Sequence, residues 1–183
     1  MIKSSLLFIA VSIFLNTSIF INNCNGQWVK GTGISDGSIT DLVAGGNNIF
    51  AGRWDTPSGS GGVYLSTDNG LIWTKTAFST SYNKDVTSLA VSGNNLFAGI
   101  AKYSLGLSGV FISTNNGANW TQTAMNDQYV KCLTVSGNYL FAGTQKNGVY
   151  YTTDNGANWT QTALNNRHVI TLQITEQTGL KLL

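Results

Sequence analysis

The sequence predicts an all-β fold: a β-propeller of four-stranded antiparallel blades, incomplete, with about three full blades and partial units at both ends. Three observations carry this. The phrase STDNGLIW at 66–73 returns as STNNGANW at 113–120 and as TTDNGANW at 152–159. Each copy follows an apolar β-rich run (GVYL, GVFI, GVYY) and precedes a threonine-rich one (WTKTAF, WTQTAM, WTQTAL). The copies also recur at blade length: Phe50, Phe97 and Phe141 lie 47 and 44 positions apart, and Trp73, Trp120 and Trp159 lie 47 and 39 apart. A repeat of this period describes stacked supersecondary units, and about 40–45 residues holding four strands make a propeller blade.

The elements follow in order. Residues 1–26 read as a secretory signal peptide, with Lys3 ahead of the apolar run LLFIAVSIFL at 6–15 and with Cys24 and Gly26 before a cut at Gln27. Residues 27–183 form the propeller segment. Trp28 matches the repeat tryptophan, so 27–30 is expected to be a last strand without its blade. The first unit supplies ITDLVA, NIFAGR, GVYLST and IWTKTA; the second VTSLAVS, NLFAGI, GVFIST and NWTQTA; the third VKCLTVS, YLFAGT, GVYYTT and NWTQTA. Val, Ile, Phe, Tyr and Thr dominate these runs and alternate with small polar residues, as half-buried strands do. At 168–175, HVITLQIT matches the first strand of a fourth unit, and the tail beyond it lacks the Asn-Leu-Phe-Ala-Gly strand. A chain ending inside a blade is expected to be a fragment.

The turns have their own chemistry. Asn69-Gly70, Asn116-Gly117 and Asn155-Gly156 sit between apolar strands, and both residue types tolerate positive φ. Asp68, Asn115 and Asp154 precede them, placed to accept backbone N–H groups and tie each turn shut. The tryptophan that follows is expected to cover the boundary between neighbouring blades.

These residues fit the Asp-box pattern S/T-x-D-x-G-x-x-W. Over about 28–175 the chain resembles the Asp-box (BNR-repeat) propellers, a grouping that includes sialidases, sortilin-type receptors and photosystem II assembly-factor-like proteins. The resemblance implies the fold. It gives Asp68, Gly70, Trp73, Asn115, Gly117, Trp120, Asp154, Gly156 and Trp159 a structural role. The second box departs from the pattern, with Asn115 at the aspartate position.

In a four-strand meander, the loops after strands one and three share one face and those after strands two and four share the other. The first class is constant: Leu42–Phe50, Leu89–Phe97 and Leu133–Phe141 each span 8 positions. The second varies: Phe50–Val63 and Phe97–Val110 span 13, whereas Phe141–Val149 spans 8. Length variation confined to one face of a repeat array marks an interaction face. Arg53, Trp54, Asp55, Lys102, Tyr103 and Lys146 lie in these loops, and an aromatic beside a charge suits a sugar or a polar peptide. They are the candidate ligand-binding residues.

Other chemistry has little to stand on. A sialidase, as the family is known, needs an arginine triad and a Tyr–Glu pair; this chain has Arg53 and Arg167 and a single glutamate, Glu176. Paired carboxylates for glycoside hydrolysis are not evident among Asp55, Asp85 and Asp127. One histidine, His168, supports neither a metal site nor a serine triad and is expected in a solvated loop. No catalytic residue, metal or cofactor is therefore expected. Ten basic residues against eight acidic give a net charge of +2, which offers no footprint for nucleic acid. Loss of Cys24 with the signal leaves Cys132 alone, without a disulfide and expected as a buried, inert thiol.

The reading is a secreted, periplasmic or cell-surface module, without a membrane span after signal cleavage. It binds a protein or glycan through the variable-loop face and has open blade edges available for self-association. The rivals are a fragment of a carbohydrate-active enzyme with its catalytic residues elsewhere, and a purely structural repeat of a larger surface protein.

Overall fold

The structure is a computed structural model and describes residues 30–34, 37–54, 61–78, 85–101, 108–175 and 179–182. The signal segment lies outside the described residues, as do Asp55, Lys102 and Tyr103. Among the described residues the regular elements are all strands.

The first blade is β1 (Ser38–Gly45), β2 (Asn48–Trp54), β3 (Gly62–Ser66) and β4 (Thr74–Lys75). The second is β5 (Val86–Ser92), β6 (Asn95–Ile100), β7 (Gly109–Ser113) and β8 (Thr121–Gln122), and the third is β9 (Val130–Ser136), β10 (Tyr139–Thr144), β11 (Val149–Thr152) and β12 (Thr160–Gln161). Each is an antiparallel sheet in chain order. The register repeats as well: Phe50 faces Leu65, Phe97 faces Ile112 and Phe141 faces Tyr151. The first strands are neighbours, with β5 packed between β1 and β9. That stacking of like on like makes the chain a β-propeller segment.

One expectation is corrected at the C-terminal end. A fourth unit does not stop after β13 (Leu172–Thr175), because β14 (Gly179–Leu182) pairs with it antiparallel. The ladder needs only backbone donors and acceptors, so a segment unlike Asn-Leu-Phe-Ala-Gly can still close the hairpin.

Three apolar clusters fill the boundaries between units. Phe50, Val63 and Phe78 of the first blade meet Val86, Leu89, Leu96, Ala98, Ile100 and Phe111 of the second, with Trp120 against them. Ala90, Phe97, Val110 and Met125 meet Val130, Leu133, Leu140 and Ala142 in the same way, with Trp159 against them. Cys132 and Val149 meet Val169 and Leu172. Each fully buried Val, Leu or Phe here contributes roughly 1.5–3 kcal/mol. The glycine of each Phe-Ala-Gly strand lets the next blade approach. A Cβ on Gly52 would lie 2.8 Å from Val86, one on Gly99 2.7 Å from Val130, and one on Gly143 2.6 Å from Val169.

A β-bulge near the start of each first strand supplies the remaining link. The ladder shifts between Ile39 and Asp41, between Val86 and Ser88, and opposite Gly143 and Thr144. The residue set free turns to the next blade: Thr40 Oγ1 donates to the Val86 carbonyl at 2.8 Å, and Thr87 Oγ1 to the Val130 carbonyl at 2.8 Å. The position after it accepts in return. Asp41 Oδ2 receives the Ser88 hydroxyl at 2.8 Å and the Leu89 amide at 2.7 Å, and Ser88 Oγ receives the Leu133 amide at 3.1 Å. These bonds satisfy inner-strand amides that no ladder partner reaches.

Candidate functional site

The two loop ends of the blades differ, and the box end is the simpler. In the first box Ser66 Oγ donates to Asp68 Oδ1 at 2.7 Å and accepts the Gly70 amide at 2.9 Å, while Asp68 Oδ1 also accepts the Ile72 amide at 2.9 Å. The third box repeats this through Thr152, Asp154, Gly156 and Asn158, at 2.7, 3.0 and 2.9 Å. The second uses Ser113 and Asn115, with a side-chain bond of 3.0 Å and the Asn119 amide at 2.8 Å. An amide oxygen thus substitutes for a carboxylate. The middle asparagines have φ of 60°, 55° and 58°, and the glycines after them 88°, 85° and 88°, as an Asn-Gly pair allows.

Hydrogen bonds hold both box carboxyls below the ordinary range. The Ile72 amide and then the Ser66 hydroxyl lower Asp68; the Thr152 hydroxyl and then Asn158 lower Asp154 to about 2. Each box also receives the last strand of the blade before it, since the Ala77 amide donates to Gly117 O at 3.1 Å and the Ala124 amide to Gly156 O at 3.0 Å. Thr32 docks likewise against Leu71 and Trp73, while the last strand expected at 27–30 lies outside the described residues except for Lys30. Polar groups at this end are thus engaged in building the turns.

The opposite end carries the candidate site. In the third blade a short turn joins β10 to β11, and a chain of amides ties it to its neighbours. Asn147 Nδ2 donates to Gln128 Oε1 at 2.6 Å, Gln128 Nε2 to Asp127 Oδ1 at 2.8 Å, and Gln161 Nε2 to the Asn147 carbonyl at 2.6 Å. The Gln145 amide bonds the Tyr129 carbonyl at 2.9 Å, and Lys131 Nζ sits 5.0 Å from the Tyr129 ring centre. Burial, and then the Asp127 charge, raise the Tyr150 phenol, so it stays a neutral donor and acceptor. Lys146 stands exposed at the tip of the turn. The result is a braced cluster of amides with an exposed cation next to Asn147 in the chain.

The expected ligand residues fall in different places. Trp54 is half-buried at the end of β2, opposite Ser38. Arg53 is buried inside the first blade, where Nη1 donates to the Tyr64 hydroxyl at 3.0 Å and the guanidinium lies 5.9 Å from the Tyr64 ring centre. Gln128, Asn147 and Gln161 were not anticipated. A signal existed for Gln161: the repeated Trp-Thr-Gln-Thr places Gln122 identically, and Gln122 Nε2 bonds the Ser108 carbonyl at 2.9 Å. In both blades this glutamine clamps the loop between the second and third strands.

A second concave feature lies along the first strands. An open groove of about 670 Å³ runs past Leu42, Val43, Ile49, Leu89, Val91, Leu133 and Val135, with Asp41 on its edge. Cys132 lies beside it, buried, with desolvation pushing its thiol up to about 11. His168 is exposed. Among the described residues, no three His, Cys, Asp or Glu gather where they could hold a metal ion, and no helix is long and apolar enough to cross a membrane.

The BNR/Asp-box repeat family matches residues 150–161, the third box and its flanks. No curated protein matches the sequence. Solved structures match in fold. The computationally designed protein Ika4 superposes with a TM-score of 0.62 at 15% identity, over 86% of this chain and 98% of its own. YCF48 bound to D1 peptide gives 0.58 at 16% identity, over 78% of this chain and 46% of its own. The extracellular domain of the hybrid two-component system BT4673 from B. thetaiotaomicron gives 0.59 at 18% identity, over 79% of this chain and 20% of its own. The chain therefore spans less than half of either natural neighbour. Residues 150–161 thus match the BNR/Asp-box repeat, and the chain has the fold of a β-propeller.

Proposed function

We propose that the chain is a secreted or cell-surface β-propeller module that binds a partner without turning it over, and that the partner is an extended polar segment of a protein. One observation carries this. At the box end polar side chains close identical turns, whereas at the loop end Gln128, Asn147 and Gln161 are fixed to one another beside an exposed Lys146. Such a surface offers backbone and side-chain partners to a peptide without the apolar core of a permanent interface. By sequence position Trp54, Asp55, Lys102 and Tyr103 fall in or beside the loops after second strands, and they are proposed to extend this surface, with the buried Arg53 behind Trp54. YCF48 binding a D1 peptide, and the extracellular placement of the BT4673 domain, favour the peptide reading and the compartment.

The test is a peptide array and a glycan array probed with the purified chain, followed by titration of the best ligand. Peptide binding that weakens about tenfold in Lys146→Ala and Trp54→Ala supports the proposal. Binding unchanged in both variants rejects the face, and sugar release from a glycan favours the enzyme rival. Self-association through open blade edges is proposed as well.

A further inference from the structure

The turns that join first to second strands share the box end of the blades. They read Gly45-Gly46-Asn47-Asn48, Ser92-Gly93-Asn94-Asn95 and Ser136-Gly137-Asn138-Tyr139. Between the second and third blades this region is closed by a side-chain bond. Asn95 Nδ2 donates to Asn155 Oδ1, in the third box, at 3.0 Å. Asn48 and Asn116 hold the same two repeat positions between the first and second blades. There they line an open pocket of about 390 Å³ instead. Among the described residues no hydrogen bond engages the side chains of Asn47, Asn48, Asn94 or Asn116.

The lining is amide and apolar, without a charged residue. Asn47, Asn48, Asn94, Asn95 and Asn116 supply the amides, and Phe50, Val91 and Leu96 the apolar surface. Gly45, Gly46 and Gly93 complete it, and a Cβ on Gly46 or Gly93 would meet nothing within 4 Å, so the mouth is open there. A pocket of a few hundred Å³ with convergent polar groups is of the size that holds a small ligand. An ionised ligand would find no opposite charge in it, so the lining suits a neutral one. Each asparagine presents one acceptor oxygen and two donor hydrogens. Neighbouring sugar hydroxyls donate and accept in the same way, and the C–H face of a sugar ring matches the apolar wall. An extended peptide offers one N–H and one C=O per residue, about 3.3 Å apart, which is sparse for five amides around so small a space.

We propose that this pocket between the first and second blades binds a neutral saccharide through Asn47, Asn48, Asn94 and Asn116, with Asn95 held in place by Asn155. The site lies at the opposite end of the blades from Lys146 and does not depend on the peptide reading.

Nuclear magnetic resonance of the side-chain amides, in the isotope-labelled chain, tests it. The probes are glucose, galactose, mannose, N-acetylglucosamine, maltose, cellobiose and lactose. At least one is expected to shift the signals of Asn48, Asn94 and Asn116, with a dissociation constant of about 1 mM or below. Asn48→Ala, Asn94→Ala and Asn116→Gly should each weaken that binding about tenfold through a lost hydrogen bond. Glycine is chosen at 116 because it keeps the φ of 55° without strain. Asn138→Ala, at the third-blade position of Asn94, should leave binding unchanged. If none of the sugars moves these signals, the site is overturned. Sugar binding that survives Asn48→Ala and Asn116→Gly lies elsewhere and overturns it equally. Shifts at these asparagines with the best peptide of the array, and with no sugar, assign the pocket to protein recognition and overturn the saccharide. Each of these results leaves the loop-end reading to its own test with Lys146→Ala.

Discussion

The two ends of each blade are built from the same strands and behave differently. At the box end Ser66–Asp68, Ser113–Asn115 and Thr152–Asp154 make the same bonds three times, and Gly117 and Gly156 each accept an amide of the previous blade. At the loop end Gln122 and Gln161 repeat a contact, and the Val110 and Val149 amides bond Met125 and Leu164 alike, but the loops between the second and third strands differ in length. A repeat has to stack, so the end that transmits stacking is uniform. The other end has no such duty and is free to differ, which is where recognition can be placed.

Substitutions at the box end should separate the two most strongly. Gly156→Ala puts a Cβ 2.8 Å from that of Thr123 while φ stays at 88°. We expect a loss of about 2–4 kcal/mol in chemical denaturation, from strain and steric conflict together. Thr152→Ala removes both the donor to Asp154 and the acceptor of the Gly156 amide. It should cost about 1–2 kcal/mol, measured in the same way.

Acid should act on the first and third boxes and spare the second, which has Asn115. The folded carboxyls of Asp68 and Asp154 are depressed, Asp154 to about 2, against about 3.9 for a free aspartate. Their contribution is therefore complete above the unfolded value and is lost as pH falls from about 4 toward 2. Asp154→Asn should flatten part of this acid limb with little change at neutral pH, since Asn115 already serves the same turn. An unchanged melting profile below pH 4 would count against it. At the loop end, Gln161→Ala should cost only about 0.5–1 kcal/mol through its lost bond to Asn147. Lys146→Ala should leave the melting temperature unaltered and reduce binding alone.

Much of the box end was legible because its residues repeat in type. Asp68, Asn69, Gly70 and Trp73 return almost letter for letter, and each turn needs those φ values and acceptors. The link between inner strands was not legible, because Asp41, Ser88 and Cys132 share a position without sharing chemistry. A carboxylate and a hydroxyl can both accept the next blade's amide, and no residue identity betrays that. Spacing placed Arg53 in a loop beside Trp54, but the buried Tyr64 hydroxyl drew it inward. The pairing of β14 escaped for a related reason: ladder bonds are made by backbone, to which composition is a weak guide.

The most direct test of the division between the ends is amide hydrogen exchange of the chain, free and saturated with the best peptide from the array. The account expects added protection in the loop-end segments 123–129 and 144–148, with the amides of Gly70, Gly117 and Gly156 unchanged. Protection confined to the box glycines, with 144–148 unaffected, would contradict it.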